Sequence, residues 1–136
     1  MSYLLDTNVV SELRKGRRAN PAVLRWFTAV ADEDLRLSVL VVGELRQGVE
    51  GVRRRDPTSA RRLDQWLKKL VQEFEDRILV VDRDTAELWG KLNVPDPLPA
   101  IDGLLAATAL THDLTLVTRN GRDVTSTGVR IVNPFD

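Results

Sequence analysis

The chain has 136 residues, a length that suits one domain with its own hydrophobic core. Twenty Lys and Arg residues balance twenty Asp and Glu residues, so the net charge gives no argument for a nucleic acid or a membrane surface as a partner. Because the chain contains no Cys and only one His, disulfides, thiolate metal sites and the usual kind of zinc site are excluded.

Strand-like and helix-like segments alternate along the chain. The strand-like runs cover residues 3–5, 35–38, 77–82, 114–118 and 129–132. A helical pattern follows Asp6, and further helices are predicted over residues 20–30, 39–49, 57–76, 83–92 and 101–111. Asn20 and Pro21 are typical of a helix start, since Asn caps well and Pro suits the first helical position.

This alternation predicts an α/β fold with a parallel sheet and helices on both faces. The chain shows no internal repeat and no linker, and the Pro-rich segment 93–99 is too short to separate domains. We therefore expect one domain over residues 1–136. The longest apolar run, at 39–42, is far too short to span a bilayer, and no secretory signal is visible, so a cytoplasmic protein is expected.

Several acids fall where the predicted strands end and the helices begin. Asp6 closes the first strand, Glu44 lies early in the helix after the second, and Asp102 lies in the first turn of the helix before the fourth. Asn120 and Asp123 follow the fourth strand directly. Because these ends share one edge of a parallel sheet, we expect these side chains to converge there.

Carboxylates brought so close together repel one another unless a positive charge lies among them. Oxygen ligands, with no Cys and a single His, favour a hard divalent cation such as Mg²⁺ or Mn²⁺. Such ions activate water and stabilise negative charge on a phosphoryl group, which points to phosphodiester hydrolysis. The chain contains neither of the glycine-rich motifs that bind nucleoside triphosphates or dinucleotides.

Four motifs, in this order, resemble those of PIN-domain ribonucleases: LLDTN, VVGELRQGV, AIDGLLAATAL and LVTRNGRDV. The resemblance covers nearly the whole chain. More narrowly, the motifs resemble those of the VapC toxins of type II VapBC toxin–antitoxin modules, in their FitB-like branch. It implies a three-layer α/β/α sandwich around a five-stranded parallel sheet, and an Mg²⁺-dependent endoribonuclease that cleaves RNA. It also implies a homodimer, and a VapB-like antitoxin that covers the site within a hetero-oligomer. Asp6, Glu44 and Asp102 match the family's acidic metal-site positions.

The fourth acidic position departs from the family pattern. Many members carry an acid immediately after the fourth strand, where this chain has Asn120, and Asp123 lies three residues further on. We predict that Asp123 completes the site, helped by backbone angles at Gly121 that other residues avoid. Asn120 remains an alternative, because an amide oxygen can bind a metal or hold a water. Three polar residues are predicted to support the site, namely Thr7, Asn8 and Thr118.

Each acid also has a structural interpretation. Asp6 can cap the following helix, and Asp102 can interact favourably with a helix dipole. Glu44 can be a solvated helix residue, although it lies in an apolar stretch, and Asp123 can belong to a plain polar turn. The basic runs 14–18, 53–55 and 61–62 are more typical of a solvated face than of RNA contacts.

Two other functions stay open from the residues. A dehalogenase-like phosphatase would use Asp6 as its nucleophile, although that motif has a second Asp where this chain has Asn8. A catalytically inactive α/β binding module would have no need of the three matching acids. The interpretation we favour is the metal-dependent endoribonuclease toxin, in which Asp6, Glu44, Asp102 and Asp123 hold one or two metals.

Overall fold

A parallel sheet of five strands lies at the centre of the computed structural model, which describes residues 1–136. The strands lie side by side in the order β3-β2-β1-β4-β5, and every neighbouring pair is parallel. Their bounds are β1 Tyr3–Leu5, β2 Leu35–Ser38, β3 Ile78–Leu79, β4 Thr115–Val117 and β5 Ile131–Val132. The predicted parallel α/β fold is confirmed.

Six α-helices flank this sheet in the predicted three-layer arrangement. Their bounds are α1 Thr7–Leu13, α2 Pro21–Ala29, α3 Val39–Arg53, α4 Pro57–Glu73, α5 Arg83–Leu92 and α6 Ala100–Thr111. Short 3₁₀ segments lie at Gly16–Arg18, Asp32–Asp34, Glu75–Arg77 and Gly121–Thr127. None of these helices is both long enough and apolar enough to cross a membrane.

Capping side chains explain where most of the helices begin. Asn20 accepts hydrogen bonds from the backbone N–H groups of Ala22 and Val23, as predicted, with Pro21 as the first helical residue. Asp56 caps α4 and Asp82 caps α5 in the same way, each through a backbone N–H three residues further on. These caps satisfy donors that the first turn of a helix leaves unpaired.

The register of the central strands sets the position of Asp6. Leu5 of β1 lies beside Val117 of β4, and the Asp6 N–H donates to the Val117 carbonyl oxygen at 2.9 Å. Around this register, Leu4, Leu37 and Leu116 are almost fully excluded from solvent. The carboxyl ends of β1 and β4 are therefore held at one level by the hydrophobic core.

Helices α3 and α4 pack against each other and are joined by ion pairs. Asp64 of α4 accepts hydrogen bonds from two arginines of α3, Arg46 at 2.9 Å and Arg53 at 3.2 Å. Glu50 pairs with the same two arginines within α3. We call these two helices the helical arm.

The predicted strands were too long at the edges of the sheet. Strand β3 covers two residues instead of 77–82, and β5 covers two instead of 129–132, while β4 is shorter than predicted by one residue at each end. Both β3 and β5 have a neighbour on one side only, so few backbone hydrogen bonds hold them. Beyond β3, Val80 is 61% exposed and Asp82 already caps α5. Helix α4 likewise ends at Glu73 instead of residue 76.

Candidate active site

Asp6 is both a helix cap and a buried carboxylate at the end of β1. Its Oδ1 atom accepts the Thr7 backbone N–H at 2.7 Å, which makes it the N-cap of α1. Its Oδ2 atom accepts the Thr118 hydroxyl at 2.6 Å and the Asn8 amide at 3.3 Å. Because the residue is only 6% exposed, these hydrogen bonds hold the carboxylate in one orientation.

Thr118 connects the loop after β4 to the loop after β1. Its buried hydroxyl donates to Asp6 and also accepts the Asn120 backbone N–H at 3.1 Å. The Asn8 side chain reaches the same loop, since its Oδ1 atom accepts the Arg119 backbone N–H at 3.3 Å. The two loops therefore form one hydrogen-bonded unit around Asp6.

Glu44 reaches this unit from the second turn of α3. Its Oε1 atom accepts the Thr7 hydroxyl at 2.5 Å, so a single threonine contacts two of the predicted acids, through its backbone N–H and its hydroxyl. Glu44 is half-buried and does not have the environment of a freely solvated helix residue.

Asp102 shows that four carboxylates share one region. Its pKa is raised above the usual value, first by burial and then by the negative charges of Asp6, Asp123 and Glu44. Asp102 lies in the first turn of α6, a helix that has no side-chain cap. We call Asp6, Glu44, Asp102 and Asp123 the acid cluster.

Asp123 lies in the 3₁₀ segment after β4. It therefore belongs to a polar turn, and it is also one of the acids whose charge acts on Asp102. Its N–H donates to the Asn120 carbonyl oxygen at 3.2 Å. The Asn120 side-chain amide makes no hydrogen bond within the chain, whereas the charge of Asp123 acts on Asp102. The structure thus brings Asp123 to the other acids and leaves the Asn120 amide free.

The explanation for Gly121 was wrong. Its backbone does not have a positive φ, which in this chain occurs among the glycines only at Gly16 and Gly128. Instead, a Cβ atom at Gly121 would lie 3.0 Å from Cγ2 of Ile131. A larger residue there would require the Ile131 side chain to shift, because the turn packs closely against β5, a contact between residues that are distant in sequence.

The donor chemistry of the acid cluster suits a hard divalent cation. Every candidate ligand is an oxygen, and the pKa of Asp102 is raised by burial first and then by the surrounding negative charge, which a cation would offset. No three acidic or imidazole side chains form a ready-made metal site as they stand.

A family model described as "PIN domain" matches residues 3–127. The chain belongs to the PIN domain family. It is 33% identical to Toxin FitB of Neisseria gonorrhoeae, with 97% of each chain covered. It is 31% identical to VapC ribonuclease Y4jK of Sinorhizobium fredii, over 98% of this chain and 97% of the relative. It superposes on the crystal structure of FitAcB from Neisseria gonorrhoeae with a TM-score of 0.89 and 32% identity, covering 98% of both chains.

All four acids of the cluster fall within the residues that match the PIN domain. Ribonucleases of this family in general depend on a metal. The C-terminal residues from 128 onwards lie outside the match, although they include β5 and its packing against the turn at Gly121.

Two arginines beside the acid cluster were missed by the sequence analysis. Arg119 directly precedes Asn120 and Arg122 directly precedes Asp123 in the motif TRNGRD, and both arginines are exposed. Single arginines in a polar turn are common, so they attract less notice than the denser basic runs at 14–18, 53–55 and 61–62. Their position beside the predicted acids was the signal that could have singled them out.

Proposed function

We propose that this PIN domain is the toxin of a type II toxin–antitoxin module and acts as an Mg²⁺-dependent endoribonuclease, with Mn²⁺ able to replace Mg²⁺. The proposal is supported by two relatives, one named a toxin and the other a VapC ribonuclease, that are similar over almost the whole chain. All 136 residues act as one domain in this proposal.

The observation that carries the proposal is the arrangement of Asp6 and Glu44 around Thr7, with Asp102 near enough to both that their charges, after burial, raise its pKa. Mutual repulsion of this kind destabilises the protein by itself and is useful where a cation binds. Among common cations, Mg²⁺ fits an oxygen-only set that leaves room for water.

In this proposal, Asp6, Glu44, Asp102 and Asp123 are the residues that hold the ion, directly or through water. The bound ion supplies an activated water and offsets negative charge on the phosphate. Thr118, Asn8 and Thr7 keep the acids in place through the hydrogen bonds described above. Asn120, whose amide makes no hydrogen bond within the chain, would donate to a phosphate oxygen of the substrate.

A VapB-like antitoxin is the protein partner that we propose. A groove of about 220 Å³ begins at Thr7 and Glu44 and continues along the helical arm to Val52 and Trp66. A segment of antitoxin in this groove would end at the acid cluster and block it, giving a toxin–antitoxin hetero-oligomer. We also propose that the toxin is a homodimer and that it works in the cytoplasm, where its RNA substrate is found.

The two alternative functions are not favoured. The family match is to PIN domains, and the Asn8 amide donates to Asp6, in the position where the phosphatase motif has a second acid. An inactive binding module would not need to preserve a cluster of repelling carboxylates.

The deciding experiment uses Asp6→Asn. Asn can keep the N-cap through its amide oxygen but loses the second oxygen that accepts from Thr118 and Asn8, so a thermal melt checks that the variant folds. We expect single-turnover cleavage of labelled single-stranded RNA in Mg²⁺ to fall at least about 100-fold, or roughly 2.7 kcal/mol of transition-state stabilisation. EDTA should abolish cleavage by the wild type.

Asp84→Asn is the matched control, because Asp84 is an exposed acid in the first turn of α5. It should cleave at the wild-type rate. Cleavage that persists in EDTA, or that Asp6→Asn leaves intact, would refute the metal-dependent mechanism. A phosphoaspartate trapped at Asp6 would instead support the phosphatase.

A further inference from the structure

An open, mostly polar pocket of about 480 Å³ lies directly beside the acid cluster. One wall is the loop after β4, with Arg119, Asn120, Arg122 and Asp123, and the other contains Asn133 near the C-terminal end of the chain. The pocket therefore shares Asn120 and Asp123 with the candidate active site. Its second wall lies beyond the residues that match the PIN domain.

Arg119 is held in place without an ion pair, although its charge is one of the smaller causes that lower the pKa of Glu12. Its guanidinium stacks over the ring of Phe135, 4.4 Å from the ring centroid, and its backbone N–H donates to Asn8. The side chain makes no ion pair, in contrast to Arg46, Arg53, Arg77 and Arg130. The N–H donors of the guanidinium therefore remain available to a ligand.

Arg122 adds a second positive charge to the same wall. It is exposed and makes neither an ion pair nor a side-chain hydrogen bond within the chain. The side-chain amides of Asn120 and Asn133 can supply further donors. The carboxylates of Asp123 and Asp136 also line the pocket and oppose an anion.

We propose that this pocket binds a backbone phosphate of single-stranded RNA next to the phosphate that is cleaved. The inference rests on the proposed ribonuclease function and assigns part of its substrate-binding surface. An acid cluster repels the RNA backbone, so binding requires positive charge close by. A planar guanidinium suits a phosphate because its N–H groups pair with two oxygens at once.

Binding of fluorescently labelled single-stranded RNA in EDTA tests the pocket separately from catalysis. Arg119→Ala and Arg122→Ala should each weaken binding roughly 5-fold, which corresponds to about 1 kcal/mol. The double variant should reduce the slope of log affinity against log salt by about 0.7, the value for one phosphate contact on a single strand. Fluorescence anisotropy at several salt concentrations measures both quantities.

Arg130→Ala is the matched control. Arg130 contacts Asp113 and Thr115 at the amino end of β4, whereas the pocket lies beside the loop that follows the carboxyl end of that strand. This variant removes the same charge and should leave the salt slope unchanged. Arg119→Lys keeps the charge but loses the planar guanidinium, so it should retain the slope and bind more weakly. Thermal melts identify any variant that does not fold, and exposed Arg122 provides a test that does not disturb packing.

Single-turnover cleavage in Mg²⁺ then separates binding from chemistry. The protein concentration that gives half-maximal cleavage should rise in both alanine variants, whereas Arg130→Ala should leave this concentration and the maximal rate unchanged. If the alanine variants have the RNA affinity and the salt slope of the wild type, the proposal that this pocket binds RNA is wrong, while the ribonuclease function stands. A wild type that binds RNA through these arginines but never cleaves it would instead overturn the ribonuclease function.

An acidic protein segment is the other anion that could fill the pocket. A polyglutamate peptide measured in the same way distinguishes the two ligands. If both alanine variants lose affinity for the peptide and keep their affinity for RNA, the pocket binds acidic protein and the RNA proposal is wrong.

Discussion

Asp102 is the carboxylate of the acid cluster on which burial and repulsion act most clearly. Folding raises its pKa above the ordinary 3.8, so the folded protein holds the proton more tightly than the unfolded chain does. Above both pKa values the ionised group therefore destabilises the fold, and this penalty disappears as the pH falls below the ordinary value. We expect Asp102→Asn to raise the Tm at pH 7 in EDTA by roughly 2 °C.

The control for this prediction is Asp84→Asn, because both residues lie in the first turn of a helix and interact with its dipole. The control should leave the Tm equal or slightly lower. Mg²⁺ should stabilise the wild type more than Asp102→Asn in differential scanning calorimetry. An Asp102→Asn variant that melts below Asp84→Asn in EDTA would contradict the repulsion.

The roles of Asp123 and Asn120 can be distinguished by substitutions that exchange the carboxylate and the amide. If Asp123 brings the fourth carboxylate, Asp123→Asn should weaken Mg²⁺ activation and slow single-turnover cleavage by at least about 10-fold. Asn120→Ala should have a smaller effect, because its amide is not bonded within the chain. Asn120→Asp adds charge at the family's usual position and should tighten Mg²⁺ binding.

The measurement is the cleavage rate against Mg²⁺ concentration for all three variants. If Asp123→Asn keeps the wild-type dependence while Asn120→Ala loses activity, the two assignments are reversed.

The convergence of Asp6, Glu44 and Asp102 was predictable from the sequence, because the carboxyl ends of parallel strands meet at one edge. The hydrogen bonds around Thr118 were not, since they depend on the register between β1 and β4. The packing of Gly121 against Ile131 was missed for the same reason. Sequence patterns indicate which segments favour helix or strand and which residues are buried. They do not indicate these contacts, which join residues that are distant in the chain.

At the scale of elements, the helical arm depends on Asp64 as its ionic link. The arginines, Arg46 foremost, lower the pKa of Asp64, so its stabilising contribution is complete above the ordinary value of 3.8 and is lost as the pH falls through the lowered value. We expect Asp64→Asn to lower the Tm at pH 7. The difference from the wild type should shrink in about 1 M NaCl, where charges are screened within roughly 3 Å.

Glu50→Gln is the control, because it removes pairs within α3 and leaves the link between the two helices. Its effect on the Tm should be smaller than that of Asp64→Asn. Equal effects of the two variants on the Tm, or an effect of Asp64→Asn that does not depend on salt, would contradict the prediction that the ion pairs between α3 and α4 stabilise the protein.

Helices were easier to predict than strands in this chain. The starts of α2 and α4 carry capping residues followed by Pro, which are local signals that the structure confirms. The ends of β3 and β5 depend on how far a neighbouring strand continues to pair, and residues 77–82 alone do not contain that information.

For the whole molecule, we expect a homodimer. The outer side of the helical arm forms a groove lined in part by Val39, Val42 and Val71, and Val39 is 38% exposed. Apolar surface of this kind is typical of an interface. Light scattering at micromolar concentration should give about twice the chain mass of 15.3 kDa. A monomer that stays unchanged when antitoxin is added would contradict both the dimer and the proposed groove.

The order of strands in the sheet also determines when during synthesis the site can exist. Strand β1 is made first but pairs with β4, and the acids come from positions 6, 44, 102 and 123. A nascent chain that has not yet released residues 115–123 from the ribosome therefore lacks both the partner strand and the last acid. Premature stop codons anywhere before Asp123 should thus yield products that do not cleave RNA, because the site is complete only when translation is nearly finished.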